Sequence, residues 1–132
     1  MAYGQFPESI GFCLTFRASE AIPTARVAVM LDTSNEGCVS LCTTNHAALI
    51  GIALNTAAAA GDEVRVAVTG HSVVYAYANA ALSIGDAVTS VDTTGYVDTA
   101  TATKTILGLA LTAATARGDL VAVLVGAGSS IT

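Results

Sequence analysis

Gly51-Ile52-Ala53-Leu54-Asn55-Thr56-Ala57-Ala58-Ala59-Ala60-Gly61-Asp62-Glu63-Val64-Arg65-Val66-Ala67-Val68 decides how the chain is read, because it returns. The second copy is Gly108-Leu109-Ala110-Leu111-Thr112-Ala113-Ala114-Thr115-Ala116-Arg117-Gly118-Asp119-Leu120-Val121-Ala122-Val123-Leu124-Val125, at a constant offset of 57 with no gap. Ten of the 18 aligned positions are identical: Gly51, Ala53, Leu54, Ala57, Ala59, Gly61, Asp62, Val64, Val66 and Val68. An Ala- and Val-rich composition inflates such a score. The two glycine anchors and the repeated Gly-Asp step are harder to obtain by chance. A repeat is read before anything else, because it fixes the architecture.

Outward from this stretch, the match extends backwards. Phe12-Cys13-Leu14-Thr15-Phe16 puts Phe12, Leu14 and Phe16 on one face of a strand and aligns with Ser72-Val73-Val74-Tyr75-Ala76 at an offset of 60. Asp32-Thr33 falls on Asp92-Thr93 at that same offset, and Gly37 and Val39 fall on Gly95 and Val97 at 58. The chain is therefore expected to hold an N-terminal arm over residues 1–10 and a single β domain over 11–132, built from two related units of about 11–70 and 71–128.

Each unit predicts the same series. A first strand leads through an Ala-containing turn to a second strand, Arg26–Leu31 or Ala87–Val91. A polar turn, Asp32–Gly37 or Asp92–Gly95, follows, with residue types that accept unusual backbone angles or bond their own backbone. The third strand is Cys38–Thr43 or Tyr96–Thr101, the fourth Leu49–Leu54 or Ile106–Leu111, the fifth Glu63–Val68 or Leu120–Val125. About ten short strands at this spacing indicate an all-β small barrel or sandwich. A unit of about 57 residues hides little core alone, so the expectation is two interlocked halves of one barrel.

The fifth strands differ informatively. Val64, Val66 and Val68 alternate with Glu63, Arg65 and Ala67, whereas Val121, Val123 and Val125 alternate with Leu120, Ala122 and Leu124. A strand apolar on both faces needs a second cover. Burying two leucines contributes about 3–6 kcal/mol. Leu120 and Leu124 are accordingly the candidate subunit-interface residues, with a sister subunit or the arm as their cover. In the arm, Tyr3 and Phe6 are the candidates for docking on a neighbour.

Composition restricts the function classes. Of 132 residues, 53% are hydrophobic and 11% charged, where about 25% charged is typical; part of so charge-poor a surface is expected to be covered. The net charge is −5, and the five basic residues Arg17, Arg26, Arg65, Lys104 and Arg117 do not cluster, which argues against nucleic acid. No run of about 18 apolar residues appears, so no membrane-spanning helix is expected. Met1–Ile10 lacks the basic start and apolar core of a signal peptide. Three cysteines, Cys13, Cys38 and Cys42, fit reduced thiols made in a cytoplasm.

The chemistry-bearing patterns are thin. Gly61-Asp62, Gly85-Asp86 and Gly118-Asp119 form an acidic set, but Gly then Asp entering a strand is first a turn. Asp32-Thr33-Ser34 and Asp92-Thr93-Thr94-Gly95 suggest the paired aspartates of an acid protease, with the glycine misplaced and the carboxylates on loop tips. Cys38, Cys42 and His46 share a spacing of four, which on a strand sets the thiols about 13 Å apart; one zinc ion would need a bend there, with Cys13 as a fourth ligand, and buried small thiols are the commoner reading. His71 precedes Ser72 without a nucleophile elbow. Tyr3, Tyr75, Tyr77 and Tyr96 read as caps on a core or interface. No catalytic residue, cofactor or metal is expected.

Ile50-Gly51-Ile52-Ala53-Leu54, the alanine-rich link, Gly61-Asp62-Glu63-Val64-Arg65-Val66 and Gly70 resemble small tailed-phage head decoration proteins, also called capsid cement proteins. Leu82-Ser83-Ile84-Gly85-Asp86-Ala87-Val88, Gly108–Leu111 and Val121–Val125 are similar to the same family, so the likeness covers most of the chain from about residue 20. The first unit departs from the pattern at Thr24-Ala25, where the second has its Ile84-Gly85-Asp86 turn. The resemblance implies a β-barrel, often trimeric, that binds the outside of an assembled shell of major capsid protein and strengthens it, often through an N-terminal arm, with no catalysis. The expected protein is then a non-enzymatic virion component, made in the host cytoplasm, a homotrimer on the capsid surface. Two other classes stand beside it, a barrel holding a small ligand in an internal cavity, and a hydrolase with polar groups converging in one pocket.

Overall fold

The computed structural model describes residue 8 and residues 13–41, 49–68, 72–90, 94–100 and 106–126. Among these the chain forms ten strands and no helix. The first half holds β1 (Cys13–Ala18), β2 (Ala28–Leu31), β3 (Cys38–Leu41), β4 (Leu49–Ala53) and β5 (Glu63–Val68). The second holds β6 (Ser72–Tyr77), β7 (Ala87–Ser90), β8 (Val97–Thr99), β9 (Gly108–Ala110) and β10 (Leu120–Val125). The first five close a barrel in the order β1-β3-β2-β4-β5, and the second five form a sheet in the order β6-β10-β9-β7-β8. The all-β class and the two related halves are as expected. The halves do not interleave into one barrel, however; each keeps its five strands to itself.

The ladders of the two halves are the same ladders. Cys13 faces Ala67 as Val73 faces Leu124, an offset of 60 on β1/β6 and 57 on β5/β10. Leu31 faces Val39 as Ser90 faces Val97, and Ala53 faces Val66 as Ala110 faces Val123. Even the lone bridges repeat, Ile22 with Ala57 and Leu82 with Ala114. One correction concerns β2. Ala28 faces Ile52 as Ala87 faces Leu109, so β2 and β7 are related by 59, not by the 60 that the sequence alignment carries through Asp32-Thr33. The reason is local. Arg26 N–H bonds Ala53 C=O where Gly85 N–H bonds Ala110 C=O, so the turn after Ile22 has one residue more than the turn after Leu82.

What differs is how the two sheets close. In the first half, parallel pairing of Arg17 with Cys38 and Ala18 with Val39 joins β1 to β3, and Arg17 N–H bonds Gly37 C=O at 2.9 Å. The repeat-related bond would run from Tyr77 N–H to Gly95 C=O. Instead Tyr77 N–H bonds Arg26 C=O at 3.2 Å, and Gly95 C=O accepts from Ala28 N–H at 2.7 Å. The backbone of Arg26-Val27-Ala28 is wedged into the gap, and only the bridge between Ala78 and Val97 joins β6 to β8. The wedge packs tightly, since a Cβ at Gly95 would lie 2.8 Å from both Ala28 O and Val27 Cβ.

Two buried clusters follow from this arrangement. Val27, Val29, Val39, Val64 and Val66 fill the first barrel. Val74, Val88, Val97, Val121 and Val123 fill the second half, joined by Ala28, Ile52 and Ala67 from the first. Those three form one row across β2, β4 and β5 on the outer face of the barrel. Glu63 and Arg65 on that face are exposed, as strand alternation predicts, whereas Ala67 is fully buried. The first barrel's outer wall is thus part of the second half's core. A fully buried Ile52 contributes roughly 2–3 kcal/mol to that join.

The opening stretch also explains its own glycines. At the crossing of β4 over β5 a Cβ on Gly51 would stand 2.1 Å from Ala67 O, and one on Gly108 2.2 Å from Leu124 O. Only a residue without a side chain lets the backbones approach so closely. Gly61→Ala meets open space and strains only a φ of +94°. Urea unfolding is expected to show Gly51→Ala and Gly108→Ala each losing about 3 kcal/mol or more, by overpacking against backbone. Gly61→Ala is expected to lose about 1–2 kcal/mol from its left-handed backbone alone.

Candidate functional site

The repeated carboxylates serve their own turns. Asp62 Oδ2 accepts the N–H groups of Ala58 at 3.0 Å and Ala59 at 3.2 Å. Its counterpart Asp119 Oδ2 accepts Thr115 N–H and Oγ1 at 2.9 Å each and Ala116 N–H at 3.2 Å. Asp86 Oδ2 accepts Ser83 N–H at 2.9 Å. Asp32 does the same in the hairpin, with Ser34 N–H on Oδ1 at 2.9 Å and the Asn35 amide on Oδ2 at 3.0 Å. These bonds to the ionised form lower two pKa values: Asp119 through the Thr115 N–H first and then its hydroxyl, Asp32 through the Asn35 amide first and then Ser34 N–H. Asp92 lies outside the described residues. Carboxylates so occupied are turn builders, and the acid-protease pattern has no support from Asp32.

The other candidate groups do not assemble either. Cys13 and Cys38 are free, half-buried thiols, while Cys42, His46 and His71 lie outside the described residues. Among the described residues no three of His, Cys, Asp or Glu converge as a metal site would require. Tyr77 stacks on Tyr96 with ring centroids 5.4 Å apart, and the Arg117 guanidinium lies 4.7 Å over the Tyr96 ring. Tyr3 lies outside the described residues.

What the surface does offer is apolar. Leu120 and Leu124 are half-buried on the outer face of β10, opposite Tyr77 and Val73 on β6. Between them Ala122 is fully buried, its N–H bonded to Thr112 Oγ1 at 2.9 Å where Arg65 N–H bonds Asn55 Oδ1 at 2.8 Å. A cleft of about 500 Å³ opens at the β1-start end of the barrel, walled by Leu14, Phe16, Leu31, Ile50, Leu107 and Val125. Leu14 and Leu31 on its rim, and Ile84 elsewhere, are exposed large apolar side chains. Tyr3 and Phe6 lie outside the described residues. Sequence reasoning missed this cleft because it gathers residues from five strands and from the segments before β9 and after β10, which no local pattern links. It also passed over Glu8 and Arg26, which are joined by an ion pair.

A charge-poor body of two repeat-related β halves, with apolar surface and no assembled chemical site among the described residues, is what the family comparison explains. A model of the phage cement protein family matches residues 11–125. The chain belongs to this family. Membership makes it a structural protein of the phage head, of the kind that decorates the capsid. Among solved structures, the N base of the head fiber protein gp8.5 of bacteriophage phi29 is similar, with a TM-score of 0.64 at 18% identity. The match covers 86% of this chain and 92% of that one and shows a shared fold. No curated protein sequence matches significantly.

In this cement protein the turn at Gly118-Asp119 holds its carboxylate in the ionised form. A carboxyl whose folded pKa is depressed adds stability that is present above its unfolded value and lost as pH falls through the folded value. For Asp119 that window lies below the ordinary value of 3.8. A carbon-detected NMR titration is expected to place the Asp119 midpoint below 3.8, and Thr115→Val, which deletes one of its donors, to move it back towards that value.

Proposed function

We propose that this protein binds the outer surface of an assembled phage capsid as a homotrimer and strengthens it, without catalysing a reaction. The observation that carries the reading is the pairing of family membership with a surface whose notable features are apolar. The chain has ten acidic and five basic residues in all, and the carboxylates of Asp32, Asp62, Asp86 and Asp119 are spent on turns. Affinity for the shell then comes from buried apolar area and shape, not from steering charge. A trimer whose symmetry matches the shell multiplies a weak contact, by roughly 10²–10⁴ where all sites engage at once. The working contacts in this reading are Tyr3 and Phe6 on the shell, with Leu120 and Leu124 between subunits. The protein is made in the host cytoplasm, where its thiols stay reduced, and acts on the virion, with no role for nucleic acid or membrane.

The ligand-binding alternative has less behind it. Fully buried valines fill both halves, and the cleft is an open surface feature whose wall, among the described residues, carries apolar side chains.

Removing residues 1–7 from the full chain is expected to reduce binding to purified expanded heads at least tenfold, read by co-sedimentation. Binding that is undiminished excludes the arm as the anchor. Sedimentation equilibrium is expected to give a trimer for the native chain and a monomer for Leu120→Asp/Leu124→Asp. A native chain that stays monomeric at all concentrations removes the trimer from the reading.

A further inference from the structure

Where β3 runs alongside β1 at Arg17 and Ala18, the matching positions of β6 meet the wedge at Tyr77 and β8 at Ala78. The next outward-facing backbone groups are the N–H and C=O of Tyr75, which stand where Thr15 stands in β1, beyond the positions that β3 pairs. A strand edge is a site of stray pairing, which proteins block with side chains or loops.

Side chains block it here. Glu8 Oε2 accepts Tyr75 N–H at 2.8 Å. Arg26 Nη1 donates to Tyr75 C=O at 3.4 Å and to Glu8, and Arg26 Nη2 donates to Glu8 Oε1 at 3.2 Å. The carboxylate and guanidinium together continue, two residues along, the bonding that the wedge backbone begins at Tyr77.

The backbone of Arg26 supplies an independent sign. It has φ +66°, and its repeat mate is Gly85 at φ +91°. Among the described residues Arg26 alone adopts positive φ without being glycine. A side chain there carries a steric cost that glycine avoids. The fold would therefore be easier with glycine, as in the second half, and what arginine adds is the guanidinium. We infer that Glu8 and Arg26 form a clamp that holds the edge of β6 at Tyr75 and pins Glu8 to the seam between the two halves. Arg26 tolerates a strained backbone to hold Glu8.

Residue-level hydrogen exchange on the full chain tests the clamp. The Tyr75 amide is expected to exchange roughly tenfold faster in Glu8→Ala, the loss of one hydrogen bond to a charged acceptor. Arg26→Gly is expected to have the same effect, although it relieves the backbone strain and leaves Glu8 in place. The double variant is expected to be no faster than either single one, because the two residues act as one unit. The Tyr77 amide, held by the Arg26 backbone, and the Val123 amide inside β10 are expected to keep their native rates. An unchanged Tyr75 rate in either single variant overturns the clamp. So does an equal acceleration at Tyr75, Tyr77 and Val123, which would mean a general loss of stability. Additive effects in the double variant overturn the coupling.

Discussion

The backbone of Arg26-Val27-Ala28 cannot serve two sheets without breaking the symmetry between them. One edge of this segment is spent on β4, through Arg26 N–H to Ala53 and Ala53 N–H to Val27. Its other edge takes the Tyr77 N–H and Gly95 C=O that would otherwise bond each other. The first half therefore closes and the second is propped open, although their strand registers agree pair by pair. Everything at the seam follows: the glycine at 95, the shared row of Ala28, Ile52 and Ala67, and the side-chain bonds along the edge at Tyr75. Two copies of one unit become a single body by unequal use of the same bonds. Neither half is an independent domain in this arrangement, since one core borrows a wall from the other.

Much of this was legible in the residues. The offset of 57 over β4 and β5 and their mates held without change, because the Gly51 and Gly108 crossings and the Gly-Asp turns leave no room for insertion. The fifth strands were bounded correctly, since alternation is sharp there and a turn precedes each. The step to 59 at β2 was hidden, for Arg26 and Gly85 look unrelated until the backbone angle they share is seen. Once they are aligned, a non-glycine opposite a turn glycine becomes a signal. The wedge was not legible at all. Its bonds run between backbone groups 51 to 67 residues apart, and backbone groups carry no sequence signature. The expectation of interlocked halves was right in spirit about mutual cover and wrong about the barrel, because pattern shows which face is apolar but not which neighbour covers it.

The candidate site shows a similar division. The carboxylates were readable as turn residues from the glycine before each, and they are bonded that way. The apolar surface was half readable: the two-faced pattern of β10 marked Leu120 and Leu124, whereas the cleft needed the fold to assemble it. For a capsid-decorating protein this is a coherent body. The carboxylates stay charged while they hold short turns, and the exterior carries few charges because the sequence has few.

The position of Glu8 has a mechanical consequence. Four residues separate it from Cys13, where β1 begins. Tension arriving at Glu8 would reach the body of the molecule at the Glu8–Arg26 junction before it reached the end of that strand. The load then enters across the seam, shared among several bonds at once, and does not unzip β1 from its free end one pair at a time.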